Sequence, residues 1–312
     1  MKVLFMGTPD FAAVALEKLI ASDHELLGVV TQPDKQKGRG HELSISPVKE
    51  IALKNGIPVY QPSKVKKDVE FHDMVKAMEP EVIVVAAFGQ ILPKTFLEIP
   101  PYGCINIHGS LLPKYRGAAP IQYSILDGES ETGITIMYMD EGIDTGDMIL
   151  QESLPIAENE TGGSLFDKMA HLGADLLLKA LDQVVAGTAV RIPQDNEKAT
   201  YVKVLSKEMG LLDFSQPAVK LERMIRGFNP WPSAYTYLEG KTLKLWLAGV
   251  EPLTDSPVEP GQIIELRKDS MVVATGKDAL VIKELQLEGK KRMTTDAFLR
   301  GYQVTCGTIL GR

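Results

Sequence analysis

Short apolar strands alternate with amphipathic helices through the first ninety residues, and this alternation restricts the fold more than any other feature. Residues 2–6 form an apolar strand, and residues 11–19 carry apolar side chains at helical spacing. The same alternation continues with strands at 25–31, 57–60 and 82–87 and with helices that begin near Ser46 and Asp68. The pattern predicts an α/β fold with a doubly wound, mostly parallel Rossmann-like sheet.

The turn after the first strand limits the ligands that this sheet can bind. It reads Gly7-Thr8-Pro9-Asp10, whereas a dinucleotide-binding fold has Gly-x-Gly-x-x-Gly at this place, which lets the pyrophosphate approach a helix N-terminus. The P-loop pattern is absent from the chain as well. The sequence therefore argues against a nicotinamide or flavin dinucleotide.

The pattern changes in the second half of the chain. Strands are predicted at 132–139 and 147–154 and a helix at 164–185, after which the periodicity fades into a polar connector. Beyond the connector a helix at 217–225 is followed by short β-rich runs at 235–237, 242–248, 262–266, 271–275 and 279–287. This spacing predicts a small C-terminal β-barrel of the oligonucleotide-binding (OB) type. We predict a catalytic domain at 1–188, a linker at 189–206 and the barrel domain at 207–312.

Composition narrows the class of protein. The net charge of −7 argues against a general nucleic-acid coat protein, but residues 1–206 carry −9 (19 Lys and Arg, 28 Asp and Glu) and residues 207–312 carry +2 (15 and 13). The second half is thus the half suited to contact a polyanion. With only Cys104 and Cys306, no signal peptide and no apolar run of about 20 residues, we expect a reducing, cytoplasmic location and no membrane span.

The stretch from Gly103 to Pro120 carries the strongest indication of chemistry. Ile105 and Ile107 alternate with Asn106 and His108, so the two polar side chains leave the same face of a strand, about 7 Å apart. Ligands of open α/β sheets bind at the carboxyl ends of the strands. An amide and an imidazole directed together into such a crevice indicate chemistry on a carbonyl group.

A third candidate is Asp144, which two glycines bracket in a later loop. The working triad is therefore Asn106, His108 and Asp144, although each residue also fits a structural role. His108 fits a core histidine bonded to a backbone carbonyl, Asn106 a cap at a strand end, and Asp144 an Asx-turn. Cys104 on the same face is interpreted as a small packed hydrophobic residue, and Trp231 as the anchor of a rigid connector.

These motifs resemble the folate-dependent formyltransferases, whose pattern is an asparagine, a histidine two residues on, a Ser-Leu-Leu-Pro loop and a later aspartate. Here the pattern is met by Asn106, His108, Ser110–Pro113 and Asp144, and the likeness extends over essentially the whole chain. It implies a formyltransferase fold, 10-formyltetrahydrofolate as the donor and no metal. By resemblance the folate site consists of Phe88, Gly89, Gln90, Ile91, Leu92, Asp140, Gly142, Ser110, Leu111, Leu112 and Pro113.

Within that superfamily the chain most resembles the enzymes whose acceptor is the amino group of initiator methionyl-tRNA. The resemblance implies an enzyme that forms N-formylmethionyl-tRNA for translation initiation, with no stable protein partner. The loop at 32–42 is long and rich in glycine and cations, which fits either a solvated surface loop or an arm that gathers phosphates. The predicted tRNA contacts are Lys35, Lys37, Arg39, Lys290, Lys291 and Arg292.

Other acceptors remain alternatives at this stage. A sugar-nucleotide N-formyltransferase uses the same donor and triad and can carry a similar second domain. A glycinamide ribonucleotide formyltransferase would normally end after the first domain, and a formyltetrahydrofolate hydrolase would use the triad on water. From a different class, a non-catalytic RNA-binding module is disfavoured by the intact triad.

Overall fold

The computed structural model describes residues 1–37, 42–253 and 258–311, with the backbone alone for 35–37 and 42–43. Contacts divide the chain into two compact units. The first unit comprises Met1–Pro120, Glu131–Pro155 and Phe166–Val202, and the second comprises Ile121–Ser130, Ile156–Leu165 and Lys203–Arg312. The boundaries predicted at 188 and 206 stay a prediction, since contacts also group two short internal segments with the C-terminal residues.

Through residue 202 the secondary structure follows the predicted alternation. The strands are β1 (Lys2–Gly7), β2 (Glu25–Val30), β3 (Lys35–Lys37), β4 (Glu42–Ser44), β5 (Val59–Tyr60), β6 (Val82–Ala86), β7 (Cys104–His108), β8 (Arg116–Gly117), β9 (Glu131–Tyr138), β10 (Met148–Pro155) and β11 (Tyr201–Val202). The helices are α1 (Asp10–Ile20), α2 (Pro47–Lys54), α3 (Val69–Met78), α4 (Lys94–Leu97), α5 (Pro120–Leu126) and α6 (Gly162–Val185).

Seven of these strands form the main sheet in the order β10-β9-β7-β6-β1-β2-β5. The five strands from β7 to β5 are parallel, whereas β9 runs antiparallel to β7 and β10 antiparallel to β9. Strands β1 and β6 are continuous apolar runs because helices cover parallel sheets on both faces, and every residue of β6 is buried. The predicted mostly parallel α/β sheet is confirmed.

From residue 203 onward the predicted β-rich runs form strands, and their pairings are antiparallel. They are β12 (Ala234–Leu238), β13 (Lys241–Glu251), β14 (Ile263–Leu266), β15 (Met271–Ala274), β16 (Ala279–Leu287) and β17 (Met293–Thr294), accompanied by α7 (Ala218–Gly227) and α8 (Thr295–Gly301). The sheet order is β12-β13-β16-β15-β14, and β17 pairs with β16.

The C-terminal segment 307–311 joins the two edges of this sheet. Its backbone exchanges hydrogen bonds with Ile263 of β14, and the Leu310 N–H donates to the Gly261 carbonyl at 2.8 Å. At the other edge, the Gly311 N–H donates to the Tyr237 carbonyl of β12, also at 2.8 Å. Because one segment pairs with both edge strands, the sheet closes into a small barrel around an apolar core.

A bulge in β13 changes which side chains face that core. The register against β16 shifts on both sides of Leu247, where one residue is left without a regular partner. Strict alternation would place Leu243, Leu245 and Leu247 on one face. Instead, Leu245 is fully buried and Leu247 is 40% exposed, which the sequence pattern alone did not indicate.

Several elements differ from the sequence-based expectations. In the region of the predicted loop at 32–42, β3 pairs antiparallel with β4, and the polar connector supplies β11, which pairs in parallel with β8. The expectation that Trp231 is an anchor is wrong, since the residue is 51% exposed. Over the described ranges, no helix is long and apolar enough to span a membrane.

The bulge generates a test of the barrel core. Leu245→Ala should lower the free energy of unfolding by roughly 2–5 kcal/mol because it leaves a cavity among packed side chains. Leu247→Ala, on the same strand, should change it by no more than about 0.5 kcal/mol. Urea unfolding followed by tryptophan fluorescence measures both, since the two tryptophans of the chain, Trp231 and Trp246, lie in the second unit. Equal effects of the two substitutions would contradict the assigned register.

Candidate active site

Strand β7 presents Asn106 and His108 on one face of the main sheet. Neighbouring strands fix its register, because Asn106 lies opposite Val85 of β6 and Met137 of β9. His108 is the last residue of the strand and is 5% exposed, whereas Asn106 is half-buried. Their side chains leave the same face because the two residues are two positions apart in a strand.

The two ring nitrogens of His108 face different partners. Nε2 lies 2.9 Å from the carbonyl oxygen of Tyr115, and a carbonyl only accepts, so Nε2 carries a proton and donates it. Nδ1 lies 3.6 Å from Oδ2 of Asp144. The backbone contact of a structural histidine thus occupies Nε2, and Nδ1 is the ring nitrogen that remains to face the Asp144 carboxylate.

Asp144 adopts a backbone conformation that L-residues rarely use. Its φ is +54°, in the left-handed region, which costs an L-residue roughly 1–2 kcal/mol. The turn in this loop is closed by a different carboxylate, that of Asp140, which accepts hydrogen bonds from the Gly142 N–H at 3.0 Å and from the Thr145 hydroxyl at 2.6 Å. The Asp144 side chain is therefore not used for an Asx-turn and is directed toward the histidine.

A backbone amide holds the Asp144 carboxylate in place. Oδ2 of Asp144 accepts a hydrogen bond from the Gly117 N–H at 2.8 Å, and this same oxygen is the one that faces His108. Gly117 has φ +113°, and a Cβ atom there would lie 2.3 Å from the Val202 carbonyl oxygen. Only glycine allows β8 and β11 to approach this closely while the amide points at the carboxylate.

The Asn106 amide is free to bind a ligand. No hydrogen bond joins it to another residue within the described ranges, although the side chain is half-buried. Half-buried amides normally find partners in the protein or in water. Its donors and acceptor therefore remain available on the same face as the imidazole.

Two cavities share the lining residues Met139, Asp140, Glu141 and Gly142; Asp144 lines the smaller one, and Asn106 and His108 line neither. The smaller, of about 170 Å³, is lined by Gln90, Ile91, Leu92, Met137, Met139, Asp140, Glu141, Gly142, Ile143 and Asp144. The larger, of about 430 Å³, is lined by Lys94, Leu97, Glu98, Gly103, Cys104, Tyr138, Met139, Asp140, Glu141, Gly142 and Arg191. Five of the predicted folate residues, Gln90, Ile91, Leu92, Asp140 and Gly142, thus line a cavity that reaches Asp144.

The other predicted folate residues lie outside the linings of these two cavities. Phe88 is 2% exposed in the apolar core, and Gly89 adopts φ +80° in the loop after β6. In the Ser110–Pro113 loop, the Ser110 hydroxyl donates to the Lys114 carbonyl at 2.6 Å and Leu112 is buried. A role for these residues in folate binding stays a prediction.

The predicted tRNA residues fall in two places. Lys290 and Lys291 are exposed in the turn between β16 and β17, and Arg292 pairs with Glu284 while its guanidinium lies 5.1 Å from the centre of the Trp246 ring. The backbone of Lys35 and Lys37 forms β3. Arg39 lies outside the described residues.

Burial explains the state of Cys104. The residue is 2% exposed, and desolvation raises the pKa of its thiol to about 12, so the sulfur is neutral and packs as a small hydrophobic group. Among the described residues, no three His, Cys, Asp or Glu side chains are grouped so that they could hold a metal ion.

Sequence reasoning missed the residues that support the site from distant segments. Thr135 of β9 and Gln151 of β10 hold the backbone of the 110–113 loop, and Gln194 of the polar connector donates to the carbonyl oxygens of Asp144 and Gly146. A lone polar residue in a strand or connector carries no local pattern that distinguishes it from a solvated one. Arg116 differs from these residues because it lies within the stretch from Gly103 to Pro120, which the sequence analysis identified as the centre of the chemistry.

Comparisons with known proteins agree with this architecture. The model of the formyl transferase family matches residues 1–181, and that of the formyl transferase C-terminal domain matches residues 204–303. A protein of Agathobacter rectalis named methionyl-tRNA formyltransferase is 52% identical over 309 residues, which cover 99% of each chain.

Solved structures share the fold at low sequence identity. WlaRD, a sugar 3N-formyl transferase solved in the presence of dTDP and 5-N-formyl-THF, has a TM-score of 0.67 at 18% identity, over 93% of this chain and 99% of its own. A variant of HypX from Aquifex aeolicus has a TM-score of 0.65 at 18% identity over 98% of this chain, which spans only 49% of the HypX chain. With family models over both halves and close relatives over its full length, the chain belongs to the formyl transferase family, among the methionyl-tRNA formyltransferases.

Proposed function

We propose that the protein transfers the formyl group of 10-formyltetrahydrofolate to the amino group of initiator methionyl-tRNA, giving N-formylmethionyl-tRNA. The observation that carries the chemistry is the position of His108, with Nε2 bound to a backbone carbonyl and Nδ1 3.6 Å from the Asp144 carboxylate. The 52% identity to a methionyl-tRNA formyltransferase over 99% of both chains supports the choice of acceptor.

Formyl transfer between two nitrogens requires a site that stabilises a tetrahedral carbon. As the acceptor amine attacks the formyl carbon, negative charge develops on the formyl oxygen, and a donor fixed beside that oxygen lowers the barrier. The Asn106 amide has no protein partner among the described residues and can donate to it without first breaking a hydrogen bond. A protonated His108 Nδ1 is the second donor.

The reaction also requires proton transfers. The attacking amine loses a proton as the new bond forms, and the folate nitrogen gains one as its bond to the formyl carbon breaks. Nδ1 of His108 lies 3.6 Å from the Asp144 carboxylate, where the imidazole is placed to take up a proton from the amine and deliver one to the folate nitrogen. Asp144 thereby orients the histidine or a water molecule for these transfers, and no residue needs to be acylated.

We assign the donor to the smaller cavity, which Asp144 lines. Its lining combines apolar side chains such as Ile91, Leu92 and Met139 with the carboxylate of Asp140, a mixture suited to a flat, hydrogen-bonding pterin ring. Phe88, Gly89 and the Ser110–Pro113 loop complete the proposed folate site through the resemblance. Tetrahydrofolate is then a released product, and the donor binds as a second substrate.

We assign tRNA binding to Lys35, Lys37 and Arg39 and to the turn that carries Lys290, Lys291 and Arg292. The exposure of Lys290 and Lys291 and the excess positive charge of residues 207–312 support this assignment. Accordingly, residues 1–188 carry the chemistry, 189–206 connect, and 207–312 bind tRNA. An enzyme that acts on initiator tRNA works in the cytoplasm, where translation begins, and no stable protein partner is proposed.

Acceptor competition tests the proposed function directly. With 10-formyltetrahydrofolate as the donor, the protein should formylate methionyl-tRNA, leave an amino-sugar nucleotide unmodified and release little formate when no acceptor is added. Product is measured by mass spectrometry of the aminoacyl ester and of the nucleotide. Preferred turnover of the amino-sugar nucleotide would replace the proposal by a sugar-nucleotide N-formyltransferase, and fast formate release by a hydrolase.

Removing the proposed oxyanion donor should slow the chemical step. Asn106→Ala should lower kcat by roughly 10²–10³-fold with little change in the KM of either substrate, because the donor acts mainly in the transition state. Asn55→Ala is the matched control, since Asn55 is an exposed asparagine at the end of α2 and should keep the wild-type rate. A rise in KM with an unchanged kcat in Asn106→Ala would make the amide a binding group and not an oxyanion donor.

Charge removal at the basic turn should weaken tRNA binding in a salt-dependent way. The double variant Lys290→Ala/Lys291→Ala should raise the Kd of methionyl-tRNA. It should also reduce the slope of log Kd against log salt concentration by about one to two, which corresponds to the loss of about one to two phosphate contacts. Filter binding at several salt concentrations measures both. The control Lys220→Ala/Lys268→Ala removes two other exposed lysines of the second unit. An equal change in the control would show that only net charge matters.

A further inference from the structure

Among the residues whose side chains the structure describes, Arg116 is the largest that is fully buried, at 1% exposure. Its guanidinium donates through Nε and Nη2 to Oε1 of Gln194, at 3.0 and 2.8 Å. Nη2 also donates to Oδ1 of Asn196 at 2.7 Å, and Nη1 to the Tyr201 hydroxyl at 3.0 Å. All three acceptors of these four hydrogen bonds are neutral, whereas buried arginines are normally paired with a carboxylate. Ion pairing therefore does not explain why this cation is buried here.

The guanidinium determines how the amide of Gln194 is oriented. Arginine has donors only, so the oxygen of the amide must face Arg116. The Nε2 of Gln194 then points away and donates to two backbone carbonyls, those of Asp144 at 2.9 Å and Gly146 at 2.8 Å. Carbonyl oxygens accept only, so the opposite amide orientation would break every one of these contacts. The hydrogen bonds of this side chain fit only one arrangement.

The two carbonyls belong to the residue that carries the proposed carboxylate and to the glycine two positions later. Asp144 has φ +54°, a conformation that its own backbone disfavours and that its surroundings must maintain. Its side chain is held by the Gly117 N–H at 2.8 Å, and its backbone by Gln194. Without the amide donor, the loop would relax and carry the carboxylate away from Nδ1 of His108.

We infer that Gln194, oriented by the buried Arg116, is a positioning residue for the formyl transfer and acts through Asp144. The inference rests on the proposed function, because it supplies the reason why the position of Asp144 matters. Displacements of about 1 Å at a reacting group can lower rates by about 10²-fold. The gap of 3.6 Å between Asp144 and His108 leaves the pair sensitive to such displacements.

The variant Gln194→Glu separates the two contacts of the side chain. One carboxylate oxygen still accepts from Arg116, so the buried cation keeps its partner and the fold is maintained. The other oxygen replaces the amide nitrogen and faces the carbonyls of Asp144 and Gly146, which it repels. Gln194→Ala is the second variant, because it removes the donor without adding charge.

A matched control exists in the second unit. The amide of Gln216 has the same arrangement, with Oε1 accepting from Lys220 at 3.1 Å and Nε2 donating to Asp213 at 3.1 Å. Gln216→Glu makes the same chemical change at a half-buried position outside the proposed site. It should leave kcat and both KM values unchanged.

We expect Gln194→Glu and Gln194→Ala each to lower kcat for methionyl-tRNA formylation by about 10- to 100-fold, with both KM values within about threefold of wild type. Because Gln194 acts through Asp144, Gln194→Glu should cause less than about threefold further loss in an Asp144→Asn background. Hydrogen exchange gives a readout without turnover. The Gly117 N–H, which donates to Asp144, should exchange faster in Gln194→Glu than in the wild type or in Gln216→Glu.

Three outcomes would overturn the inference. If both Gln194 variants keep the wild-type kcat, or if Gln194→Glu lowers kcat equally with and without Asp144→Asn, Gln194 does not act through Asp144. A rise in KM with unchanged kcat would instead make Gln194 a substrate-binding residue. Failure of the proposed function would look different, since the wild-type protein itself would then not formylate methionyl-tRNA.

Discussion

The contact between the Asp144 carboxylate, the Gly117 amide and the His108 ring is the interaction on which the proposed site depends. A single oxygen accepts from the amide at 2.8 Å and faces Nδ1 at 3.6 Å. The other ring nitrogen is fixed by a backbone carbonyl, so the histidine cannot turn to meet the carboxylate by itself. The position of the carboxylate must therefore come from the loop, and several distant segments serve to fix that loop.

The antiparallel direction of β9 shows why this support is needed. Tyr138, at the end of β9, lies opposite Ile105 near the start of β7, whereas His108 is at the other end of that strand. The connection 139–147 thus leaves the sheet far from the histidine and has to turn back along the strand to bring Asp144 beside it. Such a path requires a residue in the left-handed region and external hydrogen bonds, and the Arg116–Gln194 pair supplies the latter.

The second unit meets a different constraint, which is the closure of an antiparallel sheet. Segment 307–311 pairs with both edge strands, and the bulge near Leu247 bends β13 and turns one leucine outward. The terminal segment satisfies backbone groups that an open edge would leave unpaired, whereas the bulge bends an interior strand. The turn at Lys290 and Lys291 projects from this closed sheet, so its cations are exposed without disturbing the core.

The sequence by itself determined the fold class and the residues of the central motif. Alternating strands and helices predicted the parallel sheet, and turn-separated β runs predicted a small β domain in the second half. Period-two spacing placed Asn106 and His108 on one face. These features depend on neighbours along the chain. Only the tertiary structure decided that Gln194, in a polar connector, holds the Asp144 loop, and that Leu247 faces outward. Those outcomes depend on hydrogen bonds and strand register between segments far apart in sequence, and local patterns contain no record of such pairings. The buried Arg116 illustrates the difference, since its motif was visible in the sequence but its neutral partners lie about 80 residues away.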